Sequence, residues 1–224
     1  MVMQHFRRAV CVLDTCSIIN LDAIELGNRD ILFYMRRFFD VHVCQTIREE
    51  LQRHANLVSS REVSYWNSFL STRTYSPSTL TDDKNVIGPF YSTPPTTFGV
   101  KDAGEHGNAR VALELLLTRT IGHAIFVTDD QKASNAFLNS MRRSFPGINV
   151  WTSADVILYV GAVLLKERKA NFETVRGALR DVYAAGATKW RDKTETEKSN
   201  IILKQSNSVT SLRLIQKVVD CWRD

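Results

Sequence analysis

The sequence lacks the features that mark membrane, secreted and zinc-stapled proteins. Its longest apolar run, VILYVGAVLL at 156–165, has ten residues, about half of what a helix needs to cross a bilayer. Only five apolar residues follow Arg7 and Arg8, too few for a secretory signal. The four cysteines contain no CxxC pair, and their apolar surroundings predict buried, reduced thiols. These absences favour a cytoplasmic protein that does not span a membrane.

Familiar catalytic motifs are also missing. The chain contains no GxSxG nucleophile elbow, no Walker phosphate loop and no HExxH zinc motif, and its five histidines have no ligand spacing. Net charge is modest, with 29 Lys and Arg against 24 Asp and Glu, or +5. Most of this excess lies in residues 151–224, which carry 13 basic and 9 acidic residues, or +4. A polyanionic partner is permitted by this balance but not required.

Four short apolar segments predict the strands of a sheet. They are AVCVL (9–13), AIFVT (124–128), INVW (148–151) and, more weakly, FDVHVC (39–44). None of them alternates apolar with polar residues, which favours strands buried on both faces of a parallel sheet. Helical patterns occur at 46–54, 105–119 and 131–143. We therefore expect an α/β fold, a three-layer α/β/α sandwich around a mostly parallel sheet.

The remaining segments predict an insertion and a helical extension. Four of the five prolines fall in the segment 55–101, which is expected to be an irregular insertion with some helix at SREVSYWNSFL. The sequence after Trp151 is helical in pattern, interrupted by the charged segment KWRDKTETEK (189–198), which predicts an exposed link. The expected domains are a core at 1–165 and a C-terminal helical extension at 166–224.

Acidic residues follow two of the predicted strands directly. Asp14 comes after AVCVL, and Asp129 and Asp130 come after AIFVT. Ligands of open α/β sheets bind at the carboxyl ends of the strands, so these acids are expected at one edge. Taken alone, Asp14 is more typical of a turn or a helix cap, and Asp129 of an N-cap.

Two glutamates fall on helix faces that should be apolar. Glu50 shares a face with Ile47 and Leu51, and Glu105 heads a stripe of alanine and leucine. A buried carboxylate is costly without a partner, although Glu50 could form an ion pair and Glu105 could serve as a first-turn helix charge. Four clustered carboxylates favour a site for Mg²⁺ or Mn²⁺, which can activate water and offset charge on a phosphoryl group.

Four segments, in this order, resemble the signatures of PIN domain nucleases: VCVLDTCSIINL, IREEL, DAGEHGNARVALELL and IFVTDDQKA. The resemblance spans about residues 9–160, and the insertion has no counterpart in compact members. It implies that Asp14, Glu50, Glu105 and Asp130 are the catalytic, metal-binding acids. Asp129 is a rival or additional ligand, and Asp102 is a rival to Glu105. Thr15 and Ser17 match the hydroxyls that steady the first acid, Thr128 is the supporting threonine two residues before Asp130, and Arg110 is a candidate for contacting substrate phosphate.

The resemblance implies a function as well as a fold. PIN domain nucleases are Mg²⁺- or Mn²⁺-dependent endonucleases, most often of single-stranded RNA, and many bacterial members are toxins held by a protein antitoxin, often as dimers. The expected partners are therefore single-stranded RNA, a possible antitoxin or regulator, and a second copy of the chain. The alternative is a non-catalytic nucleic-acid-binding or scaffold protein that kept the fold. The choice between RNA and DNA stays open.

Overall fold

A computed structural model describes residues 9–22, 24–54, 74–75, 86–91, 103–118, 122–130, 134–185 and 194–221. The chain divides into two compact units, Met1–Ile18 with Phe38–Trp151, and Ile19–Arg37 with Thr152–Asp224. The predicted domain boundary near residue 165 stays a prediction. The predicted helix at SREVSYWNSFL lies outside the described residues.

The structure contains a five-stranded parallel sheet in the first unit and a short hairpin in the second. The described strands are β1 (Val10–Leu13), β2 (Glu25–Leu26), β3 (Arg29–Asp30), β4 (Asp40–Cys44), β5 (Thr74–Tyr75), β6 (Ala124–Val127) and β7 (Ile148–Trp151). The sheet order is β5-β4-β1-β6-β7, and every pair is parallel. All four predicted strands are confirmed. The fifth, β5, was not predicted, because a two-residue strand within the insertion leaves no periodic signal.

Helices connect and flank these strands. The described helices are α1 (Thr15–Asp22), α2 (Ile31–Phe38), α3 (Gln45–His54), α4 (Ala103–Thr118), α5 (Asn139–Ser144), α6 (Ser153–Lys166), α7 (Phe172–Ala185) and α8 (Glu195–Cys221), with a 3₁₀ turn at Gly88–Phe90 and a π-helical turn at Ser134–Leu138. The α/β class is confirmed: a parallel sheet flanked by helices, with additional C-terminal helices, is consistent with the predicted three-layer sandwich.

Helix α4 carries Glu105 and packs against β1, β4, β6 and α3. It therefore borders the carboxyl ends of these strands, where the acids are expected. Two glycines allow this close approach. A Cβ atom at Gly107 would lie 2.7 Å from the Sγ atom of Cys44, and one at Gly104 would lie 2.4 Å from the Cδ1 atom of Ile47. Larger residues at either position would push the first turns of α4 away from β4 and α3.

The second unit is built on the packing of α6, α7 and α8 against one another. Helices α6 and α7 approach closely at Gly161, where a Cβ atom would lie 2.5 Å from the Cγ1 atom of Val175. The hydroxyl groups of Tyr183 on α7 and Ser208 on α8 are hydrogen-bonded at 2.8 Å. In the ranges that the structure describes, no helix is both long enough and apolar enough to cross a membrane.

Two expectations about the chain were wrong in part. The predicted link at 189–198 is helical from Glu195 onward, because Thr194 caps α8: its Oγ1 atom accepts from the Glu197 amide, while its own amide donates to the Glu197 carboxylate. Thr194 and Glu197 thus form a capping box, a helix-start motif. The many charged residues of this segment had suggested an exposed link instead. The cysteines are not all buried either, since Cys16 and Cys221 are exposed, although all four are free thiols.

Candidate functional site

Asp14 lies at the carboxyl end of β1 and caps helix α1. Its backbone amide donates to the Val127 carbonyl at 3.1 Å, which ties the end of β1 to the end of β6. Its Oδ1 atom accepts from the Ser17 amide at 2.6 Å, the usual bond of an N-cap residue. Asp14 is therefore a helix cap, but it is only 1% exposed, whereas most caps lie at the surface.

The second carboxylate oxygen of Asp14 is the unusual one. Oδ2 is buried and has no partner of normal hydrogen-bond geometry among the described residues. Burial raises the pKa of Asp14 to about 6, against the opposing effect of hydrogen bonding by Thr128 and Ser17, while the charge of Asp129 raises it further. A buried oxygen that carries charge without a donor is the kind of group that a cation would stabilise.

Glu50 reaches the same segment of chain from α3. The Thr15 hydroxyl donates a 2.5 Å hydrogen bond to the Oε2 atom of Glu50, and both side chains are at least half-buried. Gly104 leaves room for this carboxylate, since a Cβ atom there would lie 3.2 Å from Oε1 and 3.3 Å from Oε2 of Glu50. The Thr15 hydroxyl therefore orients Glu50, whereas the resemblance implied that it would steady Asp14. The hydrogen bond of normal geometry from Ser17 to Asp14 comes from its backbone amide and not from its hydroxyl.

The thiol of Cys16 shows where the other acids lie. Although Cys16 as a residue is exposed, its sulfur atom is partly desolvated; this desolvation is the main cause that raises the pKa of the thiol to about 12, and the charges of Asp14, Glu105, Asp130 and Asp129 each raise it further. Four carboxylates, from the end of β1, the first turn of α4 and the loop after β6, thus act on one sulfur atom. Desolvation and these negative charges together favour the protonated thiol near neutral pH, which argues against Cys16 as a thiolate nucleophile.

The loop after β6 is held by Thr128, whose Oγ1 atom accepts from the Asp130 amide at 3.0 Å. Its two acids act on different groups. Asp129 raises the pKa of Asp14, whereas Asp130 has the larger effect of the two on Cys16. Both side chains are half-buried, and the choice between them as ligand remains open. Asp102, the rival to Glu105, lies outside the described residues.

The acids do not form a finished metal site. Within the described part of the chain, which includes all five candidate acids, no three His, Cys, Asp or Glu side chains stand close enough to hold one ion. The donor chemistry nevertheless fits a hard divalent cation, because every candidate ligand is a carboxylate and Asp14 offers a buried oxygen without a donor. Binding would require the half-buried side chains of Glu105, Asp129 or Asp130 to turn toward Asp14.

Arg110, the predicted phosphate contact, belongs to the part of α4 that faces the end of β4. Its charge lowers the pKa of the Cys44 thiol, while the charge of Glu50 and, above all, burial raise that pKa to about 11. Arg110 and Glu50 thus act on the same sulfur atom. A contact between Arg110 and substrate remains a prediction.

Asn108 is a residue that the sequence did not single out. It is completely buried on α4. Its Nδ2 atom donates to the Leu13 carbonyl at 2.5 Å, and its Oδ1 atom accepts from the Cys44 amide at 3.1 Å. One side chain therefore bridges the last residues of β1 and β4, directly before Asp14 and α3. The only signal in the sequence is an amide residue inside the apolar stripe of a helix.

Comparison with protein-family models, with curated proteins and with solved structures finds no match to this chain.

If the chain is the metal-dependent nuclease that the resemblance to PIN domains implies, Thr15→Val should reduce RNA cleavage about 10-fold to 100-fold, the usual cost of removing a group that orients a metal ligand. Valine keeps the shape of threonine but cannot donate to Glu50, so the carboxylate loses its orientation. The measurement is the initial rate of RNA cleavage per folded molecule, at several Mn²⁺ concentrations. Thr15→Ser retains the hydroxyl and is the matched control. Equal rates for the valine and serine variants would show that the hydrogen bond has no role in activity.

Proposed function

We propose that this chain is a Mg²⁺- or Mn²⁺-dependent endoribonuclease of the PIN type, acting on single-stranded RNA. One observation carries the proposal: at the end of β1, Asp14 buries a carboxylate oxygen that has no hydrogen-bond partner of normal geometry among the described residues, and the charges of acids from the first turn of α4 and the loop after β6 act on the neighbouring Cys16 thiol. Glu50 joins them through the hydroxyl of Thr15, the residue between Asp14 and Cys16. Acids that arrive from separate elements at one strand edge are typical of a phosphodiester-cleaving metal site.

The residues that would hold the ion are Asp14, Glu50, Glu105 and Asp130, with Asp129 as a rival to Asp130. When bound, Mg²⁺ or Mn²⁺ supplies an activated water near neutral pH and offsets charge that develops on phosphate oxygens. The protein supplies fixed orientation. The Ser17 amide holds one oxygen of Asp14, the other oxygen of Asp14 has no hydrogen-bond partner of normal geometry among the described residues, and Thr15 holds one oxygen of Glu50.

Other parts of the proposal rest on the resemblance to PIN domain nucleases. These are a protein antitoxin or regulator as partner, and a homodimer. A cytoplasmic location rests instead on the four free cysteines, which are typical of a reducing compartment. The net charge of +5 is compatible with an RNA substrate, since a mild positive charge draws a polyanion to the surface.

The second candidate function is a non-catalytic protein that binds nucleic acid with the same fold. It is favoured by one observation: within the described chain, no three acids stand within reach of a single ion. Such a protein would bind RNA equally well with and without a divalent cation and would leave it intact.

The experiment that separates the two functions uses a covalently closed, single-stranded RNA circle, which only an endonuclease can open. We expect the purified protein to open the circle with Mn²⁺ or Mg²⁺ and to leave it intact with EDTA. A single-stranded DNA circle, assayed in parallel, shows whether the protein cleaves RNA only or DNA as well. RNA that is bound but never cut with either metal would favour the non-catalytic function.

A further inference from the structure

A groove with a basic lining lies between α7 and α8 in the second unit. It encloses about 570 Å³ and is formed only by residues of these two helices. Its lining contains three arginines and one glutamate: Arg176, Arg180, Arg213 and Glu173. The groove is thus positively charged, and it belongs to the part of the chain, residues 151–224, that carries +4 of the net charge of +5.

The α7 side of the groove presents two arginines one helical turn apart. Arg176 and Arg180 are separated by about 6 Å along the helix axis. Arg176 is paired with Glu173 at 3.1 Å and Arg180 with Asp181 at 3.2 Å, and all four side chains are more than half exposed. Exposed ion pairs of this kind contribute little to stability. Both guanidinium groups could therefore release their carboxylate partner and bind a phosphate with little loss of stability. Arginine binds phosphate through two parallel hydrogen bonds.

The α8 side presents neutral hydrogen-bonding groups and a third arginine. Gln205, Ser206, Thr210 and Arg213 follow one stripe of the helix, with Ile202 and Val209 on the same stripe. No carboxylate of α8 lines the groove. Hydroxyl, amide and guanidinium groups in one row are the donors that proteins use to contact phosphate and sugar.

We propose that the groove between α7 and α8 binds the phosphate backbone of single-stranded RNA. This proposal deepens the function proposed above and rests on it, because it names a surface that holds the substrate. The apolar side chains of Ile202 and Val209 allow contact with sugars or bases between the charged positions. Gly177, between the two arginines on α7, has no atom within 4 Å of where a Cβ atom would lie, so the floor of the groove is open beside them.

The test measures binding of a fluorescent single-stranded oligoribonucleotide in EDTA, where no cleavage occurs. For Arg180→Glu with Arg213→Glu, we expect at least about tenfold weaker binding at low salt, and a slope of log affinity against log salt that is shallower by about 1.4, or 0.7 for each lost phosphate contact. The matched control is Lys204→Glu with Lys217→Glu. It makes the same charge change at two exposed positions of α8 that do not line the groove, so its effect should be much smaller.

An uncharged substitution that fills the groove tests whether RNA binding depends on the shape of the groove as well as on its charge. Gly177→Gln should weaken RNA binding by filling the open floor, whereas Gly177→Ala, which adds a single methyl group, should bind like the unmodified protein. Circular dichroism melting of each variant verifies that the second unit is folded.

Three results would overturn the proposal. The first is an equal loss of RNA affinity in the groove variant and the lysine control, and the second is an unchanged slope of log affinity against log salt in the groove variant. The third is that an acidic peptide displaces RNA equally well from the unmodified protein and from the groove variant. The cleavage assay is independent of this one. If the protein binds RNA through the groove but does not cleave it in Mn²⁺, the nuclease function is refuted, whereas the proposal that the groove binds RNA still holds.

Discussion

Asp14→Asn should abolish metal-dependent cleavage and, in the same molecule, stabilise the metal-free fold. Loss of the carboxylate removes a buried oxygen that has no hydrogen-bond partner of normal geometry among the described residues and that we propose holds the ion, so we expect the rate to fall by about 100-fold or more. Asparagine retains an oxygen for the Ser17 amide, so the cap of α1 is kept. The variant no longer buries a charge, whose cost is visible in the pKa of Asp14, raised from 3.8 to about 6 by burial.

This pKa also predicts how stability changes with pH. Between 3.8 and about 6, the folded protein holds the proton of Asp14 while the unfolded chain has released it. Stability from this group is therefore complete below 3.8 and is lost as the pH rises through about 6. A shift of this size corresponds to roughly 3 kcal/mol, at about 1.4 kcal/mol per pH unit. Asp14→Asn should remove this dependence and exceed the unmodified protein in stability above pH 6.

The measurement is the free energy of unfolding in urea with EDTA, at pH values below 3.8 and above 6, for both proteins. Asp220→Asn is the control, because it makes the same change at an exposed position of α8 and should alter neither the pH profile nor cleavage. Excess Mn²⁺ should stabilise the unmodified protein and have little effect on Asp14→Asn. If the variant cleaves RNA normally, or if its stability has the same pH profile as the unmodified protein, Asp14 does not have the role proposed for it.

The sheet could be predicted because its strands are buried on both faces. Apolar runs such as those of β1 and β6 are unmistakable at four residues when every residue is buried, and the acids that follow them must then share an edge. The hairpin of β2 and β3 was missed because two-residue strands leave no periodic signal. The helix α2 was missed although its buried residues Ile31, Leu32, Tyr34 and Met35 recur at helical spacing, because its eight residues form only about two turns.

The approximate location of the candidate acids could be predicted from the sequence, but the residues that hydrogen-bond to them could not. Strand ends and helix faces bring Asp14, Glu50, Glu105, Asp129 and Asp130 toward one region. The partners that orient them, such as Thr15 for Glu50, depend on side-chain geometry across 35 residues of sequence, which spacing alone does not reveal. The same holds for Asn108, whose bonds reach 95 residues to Leu13 and 64 residues to Cys44. A polar residue on a buried helix face predicts that a partner exists without identifying it.

Asn108→Leu should destabilise the first unit and reduce cleavage more than its loss of stability explains. The substitution fills the same buried position with an apolar side chain but leaves the Leu13 carbonyl and the Cys44 amide without their bonds to Asn108. Each buried backbone group without a partner costs about 1 to 3 kcal/mol, so we expect a total loss of about 2 to 6 kcal/mol in the free energy of unfolding. The ends of β1 and β4 would no longer be joined, and with them Asp14 and the start of α3, which carries Glu50.

A merely structural role for Asn108 and a positioning role differ in one readout. If Asn108 only stabilises the fold, cleavage per folded molecule should equal that of the unmodified protein at a temperature where both are folded. If it positions the acids, that rate should fall and the Mn²⁺ concentration for half-maximal rate should rise, because Asp14 and Glu50 no longer start from fixed places. Asn200→Leu, at an exposed position of α8, is the control and should change the free energy of unfolding by no more than about 0.5 kcal/mol. Asn108→Asp adds a second comparison: its carboxylate can still accept from the Cys44 amide but repels the Leu13 carbonyl, so it should impair the β1 side of the bridge alone.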